Sequence, residues 1–355
     1  MAIFKRSKNS RYLKEQRKDV VSFYYAPKEA ARKSKYVFIW DLDKTYLDTH
    51  FESFSGLIRL IFEKALQKRN VPGTAVLVRA LFKSDKHLPI YFISASPPQM
   101  QEKIKEKLDL DGITPYGFFS KDNLKNLKPS RWHRLTNHIG FKLQALMEIR
   151  LLLSPECQMI CWGDDSESDA NIYSLFSDIC SHRLTDREVI SLLGQFGVLT
   201  DQIELILELR DQKENFDPLK RVYINLAVDT DPEYYRRYGR RLMAVDNSFE
   251  VALDLFQRGF IDLDSVLEIC HDLRGNYKFK TFQFEQSYTV LCNRKRIADV
   301  TDEVLRPALK AQGFLGPKFE PEAELAKLES LPLTGDLKNI VRPWVPERID
   351  YLSDY

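Results

Sequence analysis

The sequence predicts an α/β fold built on a parallel sheet. Short apolar runs with the length of buried strands alternate with longer segments in which apolar residues recur at helical spacing. The runs are apolar along their whole length, as expected for strands covered on both faces. Alternation of these two patterns is the signature of a parallel α/β sheet.

Four strands are predicted in the first half of the chain, over residues 36–40, 89–94, 116–119 and 158–162. Helices are predicted between them. The first carries an apolar stripe from Phe54 to Leu66, and a short second one ends near Phe82. A charged helix over residues 99–108 and an amphipathic helix over residues 142–153 complete the alternation.

The second half of the chain is less regular. Residues 183–216 have the pattern of a helical hairpin, after which strands are predicted at 221–228 and 242–245. Asp246, Asn247 and Ser248 form a good N-cap cluster for the following helix. The predicted organisation is therefore a basic N-terminal arm at 1–34, a core at 35–260 with a helical insertion at 183–216, a helical extension at 261–312 and an extended tail at 313–355.

Composition and charge are those of an ordinary globular protein. The 355 residues are 44% hydrophobic and 29% charged, with a net charge of +2, so no nucleic-acid partner is expected. The charge is unevenly placed, because Glu15 is the only acid in the Lys- and Arg-rich first 18 residues. By charge alone this arm can contact anionic lipid or nucleic acid, or simply be solvated.

The sequence favours a reducing, cytoplasmic location. The N-terminal stretch lacks the apolar region of a secretory signal, and no apolar run approaches the roughly 20 residues of a membrane span. The five cysteines are scattered and odd in number. Cys157 and Cys161 resemble a metal pair, but no second pair follows at finger spacing, so buried thiols are the favoured interpretation.

Two carboxylates follow the first predicted strand, in the segment Asp41-Leu42-Asp43-Lys44-Thr45. A carboxylate at this position can attack phosphorus and form an acyl-phosphate. A second carboxylate two residues later can protonate the leaving oxygen and then deprotonate the hydrolytic water. Two neighbouring acids need positive charge nearby, which implies a metal ion or a lysine.

Three further pieces occupy strand ends or helix starts. Ser94 ends the second strand, where its hydroxyl and the amides of Ala95 and Ser96 can hold phosphoryl oxygens. Lys142 opens a predicted helix and can neutralise both the nucleophile and a bound phosphate. An acidic loop with Asp164 and Asp169 follows the strand at 158–162 and suits a hard cation, with Mg²⁺ preferred. This loop follows a strand and lacks the later Glu of a calcium-binding EF-hand.

The ordered set resembles a known family. The segments WDLDKTYLDT, VPGTAVLVRAL, YFISASPPQM, GFKLQALMEI and CWGDDSESDANIY make residues 36–180 similar to the haloacid-dehalogenase (HAD) superfamily. Within it, they most resemble the catalytic domain of the actin-patch-type phosphatidate phosphatases. The fold implied is a HAD-like Rossmannoid parallel sheet with little or no cap, carrying the helical insertion and the helical C-terminal extension.

The resemblance also implies roles for individual residues. Asp41 would be the nucleophile and Asp43 the general acid and base. Thr45 and Ser94 would orient the phosphate, and Lys142 would stabilise charge. Mg²⁺ would be held by four residues: Asp41, the carbonyl of Asp43, Asp164 and Asp169.

The substrate is less defined than the mechanism. Lys44 and Asp165 depart from the family pattern, and the segments after residue 182 match no pattern that identifies a substrate. A site with little cap admits a bulky phosphomonoester, and phosphatidate is the first hypothesis. A soluble phosphoester or phosphoprotein, or a non-catalytic phospholipid- or anion-binding scaffold, remain alternatives. A basic segment can face an anionic interface or be an ordinary solvated helix; it contains Lys121, Lys125, Lys128, Arg131, Trp132 and Arg134.

Overall fold

The chain divides into two compact units. The computed structural model describes residues 12–48, 69–122, 138–166, 168–227, 230–321 and 344–353. The first unit comprises Met1–Arg69, Leu88–Ala227 and Pro346–Tyr355, and the second comprises Asn70–His87 and Val228–Val345. The predicted core at 35–260 coincides with neither unit.

The strands confirm the predicted α/β class. They are β1 Leu13–Arg17, β2 Val20–Tyr24, β3 Tyr36–Asp41, β4 Ile90–Ser94, β5 Gly117–Lys121, β6 Gln158–Asp164, β7 Leu219–Asn225 and β8 Leu242–Val245. The first seven lie in the first unit, in the order β1-β2-β5-β4-β3-β6-β7. Strands β5, β4, β3, β6 and β7 run parallel, whereas β1 and β2 are antiparallel additions at one edge.

Helices alternate with these strands along the chain. Within the described residues the α-helices are α1 Thr74–Ser84, α2 Gln101–Leu110, α3 His138–Leu152, α4 Asp169–Cys180, α5 Asp186–Gln195, α6 Thr200–Asp211, α7 Ser248–Gln257, α8 Leu263–Tyr277, α9 Thr281–Asn293 and α10 Asp299–Ala311. The two helices expected within residues 183–216 are α5 and α6. Those expected within residues 261–312 are α8, α9 and α10.

The centre of the sheet is aromatic and fully buried. Trp40 on β3 stands opposite Trp162 on β6 in the parallel register. Their rings stack with centroids 4.3 Å apart at an angle of 7°. Tyr223 on β7 continues the layer against Trp162 at 4.8 Å. This rigid centre fixes the ends of β3 and β6, from which the acidic residues project.

Part of the stretch assigned to a basic arm is sheet. Strands β1 and β2 pair with each other, and β2 pairs with β5. Val20, Val21 and Phe23 are buried in that pairing. The burial of these apolar side chains stabilises the strand although many residues of the N-terminal stretch are positively charged. The charge of the N-terminal stretch obscured a short strand pattern at residues 13–24.

Helix α3 differs from the amphipathic helix predicted at 142–153. It begins by His138, and every residue from Ile139 to Arg150 is buried. Helices α4 and α6 and strand β2 all pack against it, so it has no fully solvated face. The spacing of apolar residues along the helix does not predict burial on all sides, because the polar side chains of Lys142, Gln144 and Glu148 are also buried.

The second unit contains β8 and helices α1 and α7 to α10. Asn247 caps α7, since its side chain accepts hydrogen bonds from the amides of Phe249 and Glu250 at 3.1 and 3.3 Å. Phe249 and Phe314 both make edge contacts with Phe284 in its core. The cap predicted from the sequence is therefore present.

Some predictions fall outside the described residues. The apolar stripe of residues 54–66, the size of any cap formed there and the tail at 322–343 belong to this group. Within the described ranges, none of the helices has the length and apolar character that crossing a membrane requires.

Candidate active site

The candidate site lies at the carboxyl ends of neighbouring parallel strands. Asp41 ends β3 and is in register with Ile93 on β4. On the other side of β3, strand β6 ends at Asp164. Open α/β sheets bind ligands at this edge. The motifs predicted from separate parts of the sequence thus meet at the strand ends.

Lys142 joins two of the predicted acids. Its Nζ lies 2.8 Å from Asp41 Oδ1 and 2.5 Å from Asp169 Oδ1. The three side chains are at most 1% exposed. Lys142 is the fifth residue of α3, one turn inside the helix rather than at its start. The helix therefore places the amine of Lys142 between the end of β3 and the acidic residues that follow β6.

Asp164 completes a buried acidic group. Oxygens of Asp41, Asp164 and Asp169 lie within 4.8 Å of one another. The amide of Asp164 donates to Asp169 Oδ2 at 3.1 Å, and the amide of Ser166 donates to Asp164 Oδ1 at 2.6 Å. These backbone bonds orient two of the three carboxylates. Among the described residues this is the one group of three or more acids, histidines or cysteines able to hold a metal ion.

The donor set fits Mg²⁺. Three carboxylates and one lysine carry a formal charge of −2 in a buried volume, which a divalent cation would neutralise. Carboxylate oxygen is also the ligand type that Mg²⁺ prefers. A Cβ on Gly163 would lie only 2.4 Å from Asp169 Oδ2, so the absence of a side chain at this position makes room for the carboxylate.

Asp43 occupies a separate position. Its Oδ2 accepts hydrogen bonds from Ser94 Oγ at 2.8 Å and Ser96 Oγ at 3.3 Å. The amide of Ser96 in turn donates to Ser94 Oγ at 3.0 Å. Asp43 is half-buried, whereas both serines are buried. Its carboxylate is thus held apart from the three-acid group and partly open to solvent.

The loop that follows β3, residues 42–47, forms a tight turn. Lys44 has φ +57°, which lets Tyr46 and Leu47 both donate to the carbonyl of Leu42, at 3.1 and 2.9 Å. Thr45 is fully buried in this turn, and its Oγ1 has no hydrogen-bond partner among the described residues. A buried hydroxyl without a partner is costly, so a bound phosphoryl oxygen would supply its missing contact.

Sequence reasoning missed two supporting residues. Asn225 ends β7, and its side chain donates to the carbonyl of Thr45 at 3.3 Å. Its backbone carbonyl accepts a hydrogen bond from the amide of Asp165 at 3.2 Å. The hydroxyl of Ser96 is the second, since the turn after a strand predicts an anion contact for its amide but not a contact of its hydroxyl with Asp43. A polar residue directly after the apolar run Val222–Ile224 was the signal available for Asn225.

The basic segment differs from the prediction at one end. Lys121 is only 2% exposed, and every residue of β5 is buried, so both faces of this strand are covered. It is therefore not part of a solvated basic surface. Residues 1–11 and 123–137 are outside the described ranges, so membrane contact through them, like the cytoplasmic location, stays a prediction.

Four of the five cysteines are buried thiols, and among the described residues none belongs to a group of three or more metal-ligating side chains. Cys157, Cys161, Cys180 and Cys270 are buried and Cys292 is half-buried. Burial raises the pKa of the Cys157 thiol to about 12, which keeps it protonated at neutral pH. Cys180 has the same shift from the same main cause.

Comparison with known proteins agrees with this geometry. Residues 36–184 match the family model described as phosphatidate phosphatase APP1, catalytic domain. This segment is similar to an APP1 catalytic domain. The match contains Asp41, Asp43, Ser94, Lys142, Asp164 and Asp169. No curated protein and no solved structure matches the chain significantly.

The APP1-like segment and the site therefore coincide. It begins at the first residue of β3 and ends four residues after α4. The resemblance drawn from the motifs is confirmed over this segment. Asn225 lies beyond its end, so the APP1-like site also uses a contact from outside the matched residues.

Proposed function

We propose that the chain is a Mg²⁺-dependent phosphomonoester hydrolase that works through an aspartyl-phosphate on Asp41, with phosphatidate as its substrate. One observation carries the proposal: Lys142 bridges Asp41 and Asp169 inside a buried group that Asp164 completes. A phosphatase of the APP1 type is what the matched family supports.

In the first step, a carboxylate oxygen of Asp41 attacks phosphorus and the bond to the leaving alkoxide breaks. Asp43 gives a proton to that alkoxide. The half-buried position of Asp43, oriented by Ser94 and Ser96, suits exchange of a proton with substrate. Thr45 Oγ1 would donate to a phosphoryl oxygen, and the Ser94 hydroxyl, whose one proton is donated to Asp43 in this structure, would do the same by turning away from that carboxylate.

In the second step, water attacks the phosphorus of the aspartyl-phosphate. Asp43 takes the proton of that water, inorganic phosphate leaves and the Asp41 carboxylate is restored. Lys142 stabilises negative charge throughout, since its ammonium stays in a buried position beside Asp41.

Mg²⁺ would be held by Asp41, Asp164 and Asp169, with the carbonyl of Asp43 as a further ligand. When bound, it would neutralise the acidic group and charge on the phosphoryl oxygens. Phosphatidate is favoured as the substrate by the description of the matched family. Its bulk also fits the sequence-based expectation of a small cap.

The deciding experiment is phosphate release from phosphatidate in mixed micelles, with Mg²⁺ and with EDTA. We expect turnover by the wild type in Mg²⁺ and a loss on the order of 10³-fold or more in Asp41→Asn. Asp48→Asn is the matched control, because Asp48 is an exposed acid of the same loop. It should retain activity.

The possible outcomes separate the alternatives. Turnover of soluble phosphoesters or a phosphoprotein, without turnover of micellar phosphatidate, would keep the reaction and reject the lipid. Activity that survives Asp41→Asn would reject the nucleophile. No turnover with any substrate, combined with tight binding to phospholipid vesicles, would favour the scaffold.

A further inference from the structure

The last residue of β7 contacts both loops of the candidate site. Asn225 ends β7 and is in register with Asp164 at the end of β6. Its side-chain amide donates to the carbonyl of Thr45 at 3.3 Å, in the loop after β3. Its backbone carbonyl accepts from the amide of Asp165 at 3.2 Å, in the acidic loop after β6. Asn225 therefore links the loop of the proposed nucleophile to the loop that holds Asp164.

The hydrogen bond to its carbonyl restrains Thr45. On the amino side of Thr45, Lys44 has φ +57°, a conformation that few residues other than glycine adopt. On the other side, the Asn225 amide holds the carbonyl of Thr45 and so orients the peptide group that follows. The direction of Cβ is set by the backbone, and a β-branched side chain has few rotamers. The contact with Asn225 therefore helps to decide where the Thr45 hydroxyl points.

The Thr45 hydroxyl is the group that this restraint positions. Thr45 is fully buried, and its Oγ1 has no hydrogen-bond partner among the described residues. A buried hydroxyl of this kind is costly unless a ligand supplies the contact. A donor contributes most to binding when its direction is fixed beforehand, since the ligand then need not order it. A restraint on Thr45 is thus a restraint on phosphate binding.

A neutral donor suits this position. The three carboxylates of the site and Lys142 already have a formal charge of −2. A carboxylate at residue 225 would add to that charge and repel the carbonyl of Thr45, whereas an amide donates without changing the charge. Asn225 is half-buried, so water competes for the hydrogen bond less than at an exposed position. The asparagine amide is therefore suited to hold the loop.

The side chain and the backbone of Asn225 act on different loops. The acidic loop is held by backbone atoms, because the carbonyl of Asn225 accepts from the amide of Asp165. The amide of Ala227 also donates to Asp165 Oδ2 at 2.7 Å. Neither contact uses the Asn225 side chain. A substitution of that side chain therefore removes the contact with Thr45 and spares the contacts with the acidic loop.

We propose that Asn225 is a positioning residue, which acts through Thr45 and directs its hydroxyl at a phosphoryl oxygen of the substrate. The amide of Asn225 is bonded to the carbonyl of Thr45, so it acts through another residue and not on the reacting atoms. This role rests on the proposed function for the identity of the group that Thr45 binds. Asn225 lies outside residues 36–184, which match the family model, so the match does not assign it this role.

The first test compares the wild type with Asn225→Ala and Asn225→Leu. Both variants remove the donor, and leucine keeps a side chain of similar size, so a cavity and a lost hydrogen bond are distinguished. In the full-length protein with Mg²⁺, kcat/KM is measured for phosphatidate and p-nitrophenyl phosphate. Calorimetry measures the affinity for orthovanadate, an analogue of phosphate. We expect kcat/KM and orthovanadate affinity to fall by about five- to tenfold in both variants.

The Mg²⁺ concentration at half-maximal activity is a second readout. We expect it to be unchanged in both Asn225 variants, because the acidic loop keeps its backbone contacts with Asn225 and Ala227. A general disruption of the site would raise this concentration together with the loss of kcat/KM. Such a parallel increase would overturn the proposal.

A double-mutant cycle tests whether Asn225 acts through Thr45. Thr45→Val removes the hydroxyl and keeps the shape of the side chain, so it should itself weaken kcat/KM and orthovanadate binding. In the Thr45→Val background, Asn225→Ala should cause little further loss, because no hydroxyl is left to position. Full additivity of the two losses would contradict the proposal.

Asn247→Ala is the matched control. Asn247 is also a half-buried asparagine close to the end of a strand, β8, and its side chain accepts from the amides of Phe249 and Glu250. Its replacement should lower the free energy of unfolding of the second unit without changing kcat/KM or orthovanadate affinity. An equal loss of activity in Asn247→Ala and Asn225→Ala would show that reduced stability is the cause, and would reject the positioning role.

The outcomes also separate this inference from the proposed function. Turnover that Asn225→Ala and Asn225→Leu leave unchanged would reject the positioning role and keep the reaction. Orthovanadate binding that depends on Asn225 and Thr45, without turnover of any phosphoester, would keep the positioning role and reject the reaction. Absence of both turnover and orthovanadate binding in the wild type would reject both.

Discussion

The ammonium of Lys142 lies 2.8 Å from Asp41 Oδ1, although 101 positions separate the two residues in the sequence, and both side chains are 1% exposed. The pair brings a middle turn of helix α3 to the end of strand β3. A buried cation beside a buried carboxylate stabilises the ionised form of each group. The proposed nucleophile is therefore held in position before substrate arrives.

Lys142→Met should abolish most activity. Without the amine, the three buried carboxylates lose the ammonium that bridges Asp41 and Asp169, and Mg²⁺ alone would have to balance their charge and that of the phosphate. We expect kcat to fall by on the order of 10²-fold or more. Lys44→Met is the control, because Lys44 is an exposed lysine of the nucleophile loop that donates to Ser166 Oγ at 3.1 Å. An equal loss in both variants would show that kcat depends on positive charge near the nucleophile loop in general and not on the buried pair of Lys142 and Asp41.

Ser96→Ala should weaken proton transfer rather than phosphate binding. Its hydroxyl contacts only one oxygen of Asp43, at 3.3 Å, and we expect a loss of about tenfold in kcat with an alkyl phosphate. The loss should be smaller with p-nitrophenyl phosphate, whose leaving group needs no proton. A loss that is the same for both substrates would contradict this role.

Gly163→Ala should displace Asp169. The new methyl group would lie 2.4 to 2.7 Å from side-chain atoms of Asp169, so the carboxylate must shift from the position in which it contacts Lys142 and the amide of Asp164. We expect weaker Mg²⁺ activation and a destabilisation of about 1–3 kcal/mol. Gly194→Ala, where a Cβ meets nothing within 4 Å and the residue lies in helix α5, should leave Mg²⁺ activation unchanged and should not destabilise the fold. Mg²⁺ titration of activity and urea unfolding measure the two effects.

Glu148 should make the first unit less stable as pH rises. Burial raises its pKa to about 7, although hydrogen bonds from Gln144 and Ser22 oppose the shift. In the unfolded chain the pKa is near 4.5. The unfolded state therefore loses its proton first. The contribution of Glu148 to the free energy of unfolding is therefore fully present below about pH 4.5. It is lost progressively between about pH 4.5 and about pH 7, by on the order of 3 kcal/mol in total.

Glu148→Gln should remove that pH dependence. Urea unfolding followed by the fluorescence of Trp40 and Trp162, both in the first unit, gives the free energy of unfolding at each pH. Replacement of the exposed Glu204 by Gln is the control and should preserve the wild-type slope. If the Glu148→Gln slope between pH 4.5 and 7 equals that of the wild type, the assigned cause is wrong.

Much of the sheet was predictable from local sequence. The apolar runs before Asp41, Ser94 and Asp164 mark strands because burial on both faces excludes polar residues. Parallel strands place their carboxyl ends at one edge, so the meeting of these motifs also followed from the pattern. Strands β1 and β2 were missed, since the Lys- and Arg-rich composition obscured their pattern and since β2 reaches the sheet by pairing with β5, which is far away in the sequence.

The sequence by itself determined the class of fold and the set of acids, through periodicity and through the polar residues that end apolar runs. Only the tertiary structure decided which groups touch. It placed Lys142 between Asp41 and Asp169, and it brought the side chain of Asn225 within hydrogen-bonding distance of the carbonyl of Thr45. It also brought arginines from residues 236 to 296 close to Trp344. The physical reason is that these contacts join residues far apart in the chain, and their distances depend on how whole helices and strands pack.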